Sequence, residues 1–226
     1  MRRFPLASLT VPVVTLLLAA PAPERALAQD ECVVVEDFAK AKVGQLPGDW
    51  KLRKDAGKGV YAVREDGGKR FLRAQAKGVD IQAAKQHEWN LDDYPVLAWR
   101  WRPVDFPKGA DERESGRNDS ALAVYMLVPY SKVRGPKAMK YVWSERVPAG
   151  TRLESNMGLT KVRVLRSGAD KKGEWVEERV NVREDFMTGF GTKEVPKPVG
   201  IAVLTDSDET SSTATGDYAD FRVCRK

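Results

Sequence analysis

About ten short segments of the chain alternate between apolar and polar side chains, and this pattern restricts what the chain can fold into. In Leu97–Arg102 the tryptophans alternate with arginines, and in Lys161–Arg166 valines alternate with basic residues. A period of two places one set of side chains on the buried face of a β-strand and the other on its wet face. Only Glu184–Phe190 predicts a short helix, ending near Gly191.

The segments that predict strands are Val33–Val35, Gly59–Arg64, Arg70–Ala76, Val96–Arg102, Leu122–Val128, Tyr141–Glu145, Lys161–Arg166, Trp175–Val182, Val199–Thr205 and Tyr218–Val223. Gly, Pro, Asp and Ser separate them, and Asp66-Gly67-Gly68 predicts a hairpin turn. We therefore predict an all-β fold, an antiparallel β-sandwich of jelly-roll or concanavalin-like type. It forms a single domain over residues 29–226.

Residues 1–28 predict a secretory signal peptide that is cleaved. Arg2 and Arg3 precede the apolar stretch Leu6–Ala20, and Ala26-Leu27-Ala28 forms a small-x-small cleavage site. The apolar stretch is too short and too interrupted by proline to span a membrane, and no later segment predicts a span. We therefore expect a periplasmic or secreted protein.

The chain has two cysteines, Cys32 and Cys224, near the two ends of the mature sequence. In an exported protein an even number of cysteines favours a disulfide, and two cysteines allow one pairing. The bond would require the first and last strands to be neighbours. Two separate buried thiols are the alternative.

The charge of the chain is mildly basic, with a net charge of +6 that falls to +4 without Arg2, Arg3, Glu24 and Arg25. This charge is not by itself the footprint of a nucleic-acid-binding protein, so no nucleic-acid partner is predicted. The arginines on predicted wet faces are Arg73, Arg100, Arg102, Arg163 and Arg222. If their strands adjoin, they form a basic surface, with Arg100 and Arg102 as candidate anion contacts.

Few residues suit enzymatic catalysis. His87 is the only histidine, so a serine or cysteine nucleophile lacks a choice of base and a zinc centre lacks ligands. Paired carboxylates could still serve a polysaccharide hydrolase or lyase, and Asp119 and Glu145 are the candidates for that alternative. No pair has a spacing that specifies cleavage, so the leading prediction is a protein without catalytic residues.

The stretch Gly200–Thr210 contains Asp206-x-Asp208-x-Thr210 after an apolar run. A phosphatase with this pattern would need a whole parallel-sheet domain after it, and too few residues follow. Asp206, Asp208 and Asp217 match positions one, three and twelve of a calcium loop, but Ser211 stands where such a loop needs glycine. A turn capped by its own side chains is the main interpretation, with Ca²⁺ as the alternative and no other cofactor predicted.

Aromatic residues are frequent on or beside the predicted strands, and sugars stack on exposed aromatic rings. Tyr141 and Trp143 share one face of a predicted strand with Glu145. We predict Tyr141 and Trp143 as stacking residues for a glycan. Packing in the core is the alternative use of each of these rings.

Several phrases of the sequence together resemble the DUF 3047 family, a group of exported bacterial proteins without assigned activity. They are "VVVEDF…LPGDWKLRK", "YPVLAWRWRPVDFPKGADE", "NDSALAVYMLVP", "YVWSE", "LESNMGLTKVRVLRSG", "VNVREDFMTGFG" and "GIAVLTDSDETSSTATGDYADFRVC". The resemblance covers essentially the whole mature chain and implies an exported bacterial globular protein, but it supplies no catalytic residues. The two ends are also similar to the edges of carbohydrate-binding modules and concanavalin-like sandwiches.

These observations favour a non-catalytic β-sandwich that binds a glycan or another anionic polymer of the cell envelope. One alternative is a carboxylate-dependent polysaccharide hydrolase or lyase. A second alternative is a structural or partner-binding envelope protein.

Overall fold

The computed structural model describes residues 31–225, so the predicted signal peptide lies outside the described residues. The described residues form thirteen strands: β1 Cys32–Glu36, β2 Trp50–Leu52, β3 Tyr61–Asp66, β4 Lys69–Lys77, β5 Asp80–Gln86, β6 Val96–Asp105, β7 Leu122–Ser131, β8 Gly135–Ser144, β9 Arg152–Ser155, β10 Thr160–Ser167, β11 Val176–Asn181, β12 Gly200–Asp206 and β13 Thr213–Cys224. One α-helix, α1, spans Val182–Phe190, and two 3-10 turns span Asp55–Gly57 and Ser115–Arg117.

The strands form two sheets that pack face to face. The six-stranded sheet has the order β11-β6-β13-β4-β3, with β1 also paired to β13. The seven-stranded sheet has the order β2-β5-β12-β7-β8-β10-β9. The predicted all-β sandwich is therefore confirmed.

The sandwich departs from the predicted antiparallel pattern at one place, because β10 runs parallel to β8. After β8 the chain returns along the edge strand β9, which pairs antiparallel with β10. A left-handed turn at Asn156, Met157 and Gly158 then reverses the chain into β10. The short return strand is what allows a parallel neighbour without a helical crossover.

The local turn and helix predictions are confirmed. Asp66 pairs with Lys69 across a two-residue loop, in which Gly67 and Gly68 have φ values of 56° and 75°. Positive φ at both central residues matches the twist of a hairpin, which favours glycine there. Helix α1 ends at Gly191, which adopts the left-handed conformation.

The core between the sheets is rich in aromatic side chains. Trp99 and Trp101 on β6 are both fully buried, and their rings pack edge to face at 5.3 Å. Each contacts a ring of β8 in the opposite sheet: Trp99 lies 5.6 Å from Tyr141 and Trp101 lies 5.9 Å from Trp143. Trp99 and Trp101, two residues apart on β6, therefore hold the two sheets together. Arg100 and Arg102 alternate with them and face outward.

The predicted disulfide between Cys32 and Cys224 is present and joins β1 to β13, where the two residues are directly opposite each other. The first and last strands are neighbours, as this bond requires. No helix within residues 31–225 is long and apolar enough to cross a membrane.

Candidate functional site

The structure contradicts the prediction that Tyr141 and Trp143 form an exposed stacking platform. Their side chains are 0% and 2% exposed. The Tyr141 hydroxyl donates to Asp185 of α1, and the Trp143 indole donates to the Gly168 carbonyl at 3.0 Å. Both rings pack against the tryptophans of β6, so neither can stack on a ligand.

The outer face of the six-stranded sheet instead carries a row of side chains that crosses the neighbouring strands β11, β6, β13 and β4. Trp175, just before β11, lies beside Arg102 on β6, whose guanidinium is 4.7 Å from the indole centroid. Arg102 is opposite Asp217 on β13, which is opposite Arg73 on β4. Phe71, two residues before Arg73 on the same face, packs edge to face on Trp175 at 5.4 Å. Strand pairing thus alternates aromatic rings, guanidinium groups and a carboxylate.

Asp217 was a candidate calcium ligand, and the structure shows this prediction to be wrong. Its carboxylate is fully buried and accepts from Arg73 Nε and Nη2 at 2.7 and 2.8 Å. It also accepts from Arg102 Nε at 2.8 Å, so two guanidinium groups satisfy its oxygens. Asp217 lies in the opposite sheet from the strand that ends at Asp206.

Arg100 joins the row through an irregularity in β13. The pairing of β13 with β6 shifts between Ala219 and Arg222, and Asp220 adopts a φ of 55°. This bulge turns Asp220 toward the outer face, because an extended strand would point it into the core. There its carboxylate pairs with Arg100 at 3.2 Å, and Arg100 lies 5.3 Å from the Trp175 ring.

Phe71, Arg100, Trp175 and Asp220 form one wall of a cleft with a volume of about 640 Å³. The β3–β4 turn at Gly67 and Gly68 forms its rim, together with Asp37 after β1. We call this the Trp175 cleft. Trp175 is half-buried, whereas the other five tryptophans of the chain, all within the described residues, are buried. The cleft is therefore where the described structure offers an indole ring to a ligand.

The predicted basic surface forms only in part. Arg73, Arg100, Arg102 and Arg222 do meet on the six-stranded sheet, but each is paired with a carboxylate, and Arg222 bonds Glu177 at 2.9 Å. Arg163 lies on the other sheet and pairs with Asp185. The four arginines of the six-stranded sheet therefore form a charge-balanced surface, because carboxylates on nearby strands pair with them. The sequence alone does not identify which strands are near one another.

A second group of polar residues lies at the opposite sheet. Carboxylate oxygens of Asp119, Asp206 and Asp208 all lie within 4.8 Å of one another. The predicted pair Asp206 and Asp208 thus meets Asp119 instead of Asp217. Asp119 accepts from the Thr210 backbone and hydroxyl at 2.8 and 2.5 Å, which fixes the turn after β12. Binding of Ca²⁺ by this group stays a prediction.

Asp119 and Glu145, the candidates for a hydrolase or lyase, lie in different surroundings. Glu145 follows the end of β8 and is half-buried. Asp119 is fully buried and its carboxylate binds the turn around Thr210. This arrangement gives Asp119 a structural contact, and the catalytic role stays an untested alternative.

The buried end of β12 is electrostatically unusual. Burial raises the pKa of Asp206 to about 7, and the charges of Asp119 and Asp208 add to this effect. The nearby Lys140 ammonium and the Ser120 backbone N–H, which donates at 2.6 Å, act in the opposite direction. Burial also raises the pKa of Glu112, which accepts from Ser144.

We predict that Asp206→Asn changes how stability depends on pH. The folded pKa of about 7 lies above the ordinary aspartate pKa of 3.8, so the native state binds the proton more tightly. Wild-type stability from this group is therefore fully present below about pH 4 and is lost as pH rises through about 7. At roughly 1.4 kcal/mol per pKa unit, the free energy of unfolding should shift by about 2 to 4 kcal/mol relative to the variant.

Denaturant unfolding of both proteins between about pH 4 and pH 8 measures this difference. Asparagine keeps an acceptor for the Ser120 N–H, so the variant isolates the proton. A difference in unfolding free energy that stays constant over this range would contradict the assignment.

The site residues that sequence reasoning missed are Phe71, Trp175 and Asp220. Trp175 could have been found from the alternation of its strand, because Val176 beside it faces the core and Trp175 must therefore face outward. Asp220 has no such signal, because its outward direction depends on the bulge.

A family model described as "Protein of unknown function (DUF3047)" matches residues 48–222. The chain belongs to this family. The resemblance seen in the sequence phrases is thus confirmed. None of the curated proteins compared with the chain matches it.

Solved structures with a similar arrangement of strands include two carbohydrate-binding modules. One is specific for non-crystalline cellulose, with 10% identity, 85% of this chain and 94% of that chain covered, and a TM-score of 0.43. The other, described for mannan recognition, has 13% identity, 85% and 97% coverage, and a TM-score of 0.38. A cellulase derived from Cel12A of Rhodothermus marinus has 13% identity, 78% and 96% coverage, and a TM-score of 0.38. At these values the similarity describes strand arrangement only, and no ligand or site is inferred from it.

Proposed function

We propose that this protein binds a neutral glycan in the Trp175 cleft, without cleaving it. The observation that carries the proposal is the half-buried Trp175, fixed by Phe71 at 5.4 Å and by two guanidinium groups at 4.7 and 5.3 Å. A ring held in this way loses little side-chain entropy when a sugar packs on it. The apolar face of a pyranose packs on such a ring, and polar neighbours fix its hydroxyls.

The charges around the cleft favour a neutral ligand over a polyanion. Its lining contains four acidic residues, Asp37, Glu65, Asp66 and Asp220, and three basic residues, Lys69, Arg70 and Arg100. Arg70 pairs with Glu65 at 2.8 Å, and Arg100 pairs with Asp220 at 3.2 Å. A polyanion would have to displace these carboxylates, whereas sugar hydroxyls can both donate to them and accept from the guanidinium groups.

The pairing of the carboxylates also supports binding without catalysis. A glycosidase needs one carboxyl group as acid and another as base or nucleophile, both facing the scissile bond. In the cleft, Glu65 and Asp220 each serve an arginine, and Asp37 accepts from the Ala39 N–H. These contacts hold the wall in shape and leave the carboxylates as hydrogen-bonding groups for hydroxyls.

We also propose that the protein works in the periplasm or outside the cell. The Cys32–Cys224 disulfide supports this location, because such bonds form and persist in oxidising compartments. The predicted signal peptide over residues 1–28 provides the route.

Trp175→Ala should weaken glycan binding by about tenfold or more while the protein stays folded. Removing a half-buried indole should cost about 1 to 2 kcal/mol of stability, because the ring packs on Phe71 without filling the core. Sedimentation with insoluble neutral polysaccharides, across a salt series, measures the binding. Binding to this cleft should resist salt, since its contacts are rings and hydroxyls.

Tyr130→Ala is the matched control, because Tyr130 is an exposed aromatic residue, 50% accessible, on the opposite sheet. Its loss should leave neutral-glycan binding unchanged. Equal binding by wild type and Trp175→Ala would remove the cleft as the glycan site. Release of soluble sugars during the assay would favour the hydrolase alternative, and no binding to any polysaccharide would favour a structural or partner-binding role.

A further inference from the structure

We propose that a second site, a groove on the outer face of the seven-stranded sheet, binds an acidic polysaccharide through its carboxylate groups. The groove has a volume of about 600 Å³ and lies on the sheet opposite the Trp175 cleft. We call it the outer groove. This proposal goes beyond the neutral-glycan function and does not depend on it.

The floor of the outer groove crosses five adjacent strands. Its residues come from β5, β12, β7, β8 and β10, in that order across the sheet: Gln82, Leu204, Tyr125, Ala138 and Thr160. Five adjacent strands give four inter-strand spacings, so the floor extends about 20 Å across the sheet. A floor of this extent suits a stretch of an oligosaccharide chain better than a single sugar.

The walls of the outer groove are loops that carry cations without acidic partners. Arg53 follows β2, and Lys132 and Arg134 belong to the β7–β8 hairpin. All three are exposed, and none forms an ion pair with a residue of the described chain. Asp80, the acidic residue of the lining, is already paired with Lys54. The outer groove therefore has an uncompensated positive charge, unlike the Trp175 cleft.

The neutral polar groups of the outer groove match sugar hydroxyls. Gln82, Ser155, Asn156 and Thr160 line it, and their amide and hydroxyl groups both donate and accept. A single-stranded nucleic acid would use the same cations, and its bases would also stack on exposed aromatic faces. Tyr125, the aromatic residue of the lining, is 7% exposed and offers little ring surface. Cations together with hydroxyl-binding groups thus favour an acidic glycan.

The loops beside the outer groove have apolar tips that nothing in the described chain covers. Val133 in the β7–β8 hairpin is 94% exposed, and Met157 in the β9–β10 turn is 83% exposed. These are the two most exposed large apolar side chains of residues 31–225. Val133 lines the outer groove, and Met157 follows Asn156, which also lines it. Contact with a bound polymer would remove these apolar side chains from water.

Polygalacturonate is the probe for this proposal, and its fully methyl-esterified form is the neutral control polymer. Affinity electrophoresis or calorimetry should detect binding of the acidic polymer that falls steeply with added salt. The double variant Lys132→Ala/Arg134→Ala should weaken that binding about tenfold or more at low salt. Both residues are exposed on a hairpin, so the variant should keep its fold.

Arg64→Ala is the matched control, because Arg64 is exposed on β3 of the other sheet and the change also removes a positive charge. It should bind polygalacturonate as the wild type does, and so should Trp175→Ala. The proposal is overturned if the double variant binds normally, or if Trp175→Ala alone abolishes binding. Equal binding of single-stranded DNA at matched charge would replace the acidic glycan by a nucleic acid, and absence of polygalacturonate binding would remove the site.

Discussion

Removal of the Cys32–Cys224 disulfide should lower the free energy of unfolding by about 4 to 5 kcal/mol. The bond closes a loop with a sequence separation of 192 residues, so it restricts nearly the whole unfolded chain. In addition, the only strand partner of β1 in the described sheets is β13, and two of its five residues, Val33 and Val34, are exposed. The disulfide therefore adds a covalent link to a short strand with a single strand partner, and the effect should be large.

Denaturant unfolding of the Cys32→Ser/Cys224→Ser variant against the oxidised wild type measures this effect. In thermal unfolding of a domain of this size, the midpoint temperature of the variant should be lower by about 10 to 15 °C. Reductant should destabilise the wild type by the same amount and leave the double variant unchanged. A loss below about 1 kcal/mol would mean that the unfolded chain is already compact, so that the bond restricts little.

The alternation of side chains predicted the sandwich because most strands have one core face and one wet face. The strands that it missed, β2, β5 and β9, lack that contrast. β5 presents Ile81 and Ala83 to the core, and alanine gives a weak strand signal. β2 and β9 are edge strands of three and four residues, too short for a periodic pattern.

The outward direction of Arg100 and Arg102 was predictable because charged residues alternate with tryptophans in β6. The direction of Tyr141 and Trp143 was not. In β8 the residue between them, Val142, is also apolar, and it is as fully buried as Tyr141. Periodicity identifies a wet face only when the two faces differ in polarity. When both faces are covered, only the packing of the opposite sheet decides which one meets the core.

The partners of the charged residues were beyond reach of the sequence for a different reason. Asp119 meets Asp206 because β7 and β12 are adjacent, and the Ser120 N–H binds Asp206 across 86 residues of sequence. Asp217 meets Arg73 and Arg102 only through the register of three strands. A one-residue slip in either pairing would turn each carboxylate to the other face. The composition thus gives the number of charged residues, but the strand register determines which of them form ion pairs.

Trp143→Ala should destabilise the protein by about 3 to 5 kcal/mol, in contrast to the small effect expected for Trp175→Ala. The Trp143 side chain is 2% exposed, and its ring lies 5.9 Å from that of Trp101 in the opposite sheet. Alanine would leave a cavity between the two sheets. It would also leave the Gly168 carbonyl without the indole N–H that it accepts at 3.0 Å.

Urea unfolding of Trp143→Ala, Trp143→Phe and Trp175→Ala distinguishes a core tryptophan from a surface tryptophan. Trp143→Phe keeps a ring between the sheets but lacks the N–H, so its loss of stability should fall between those of the two alanine variants. At urea concentrations well below its unfolding midpoint, folded Trp143→Ala should bind neutral glycan as the wild type does, because the Trp143 ring of the wild type does not reach solvent. If Trp143→Ala instead keeps wild-type stability and loses glycan binding, the glycan lies on β8 and the Trp175 cleft is not its site. The two tryptophans therefore test the same question from opposite sides, since a residue can anchor the sheets or meet a sugar, but one indole face cannot do both.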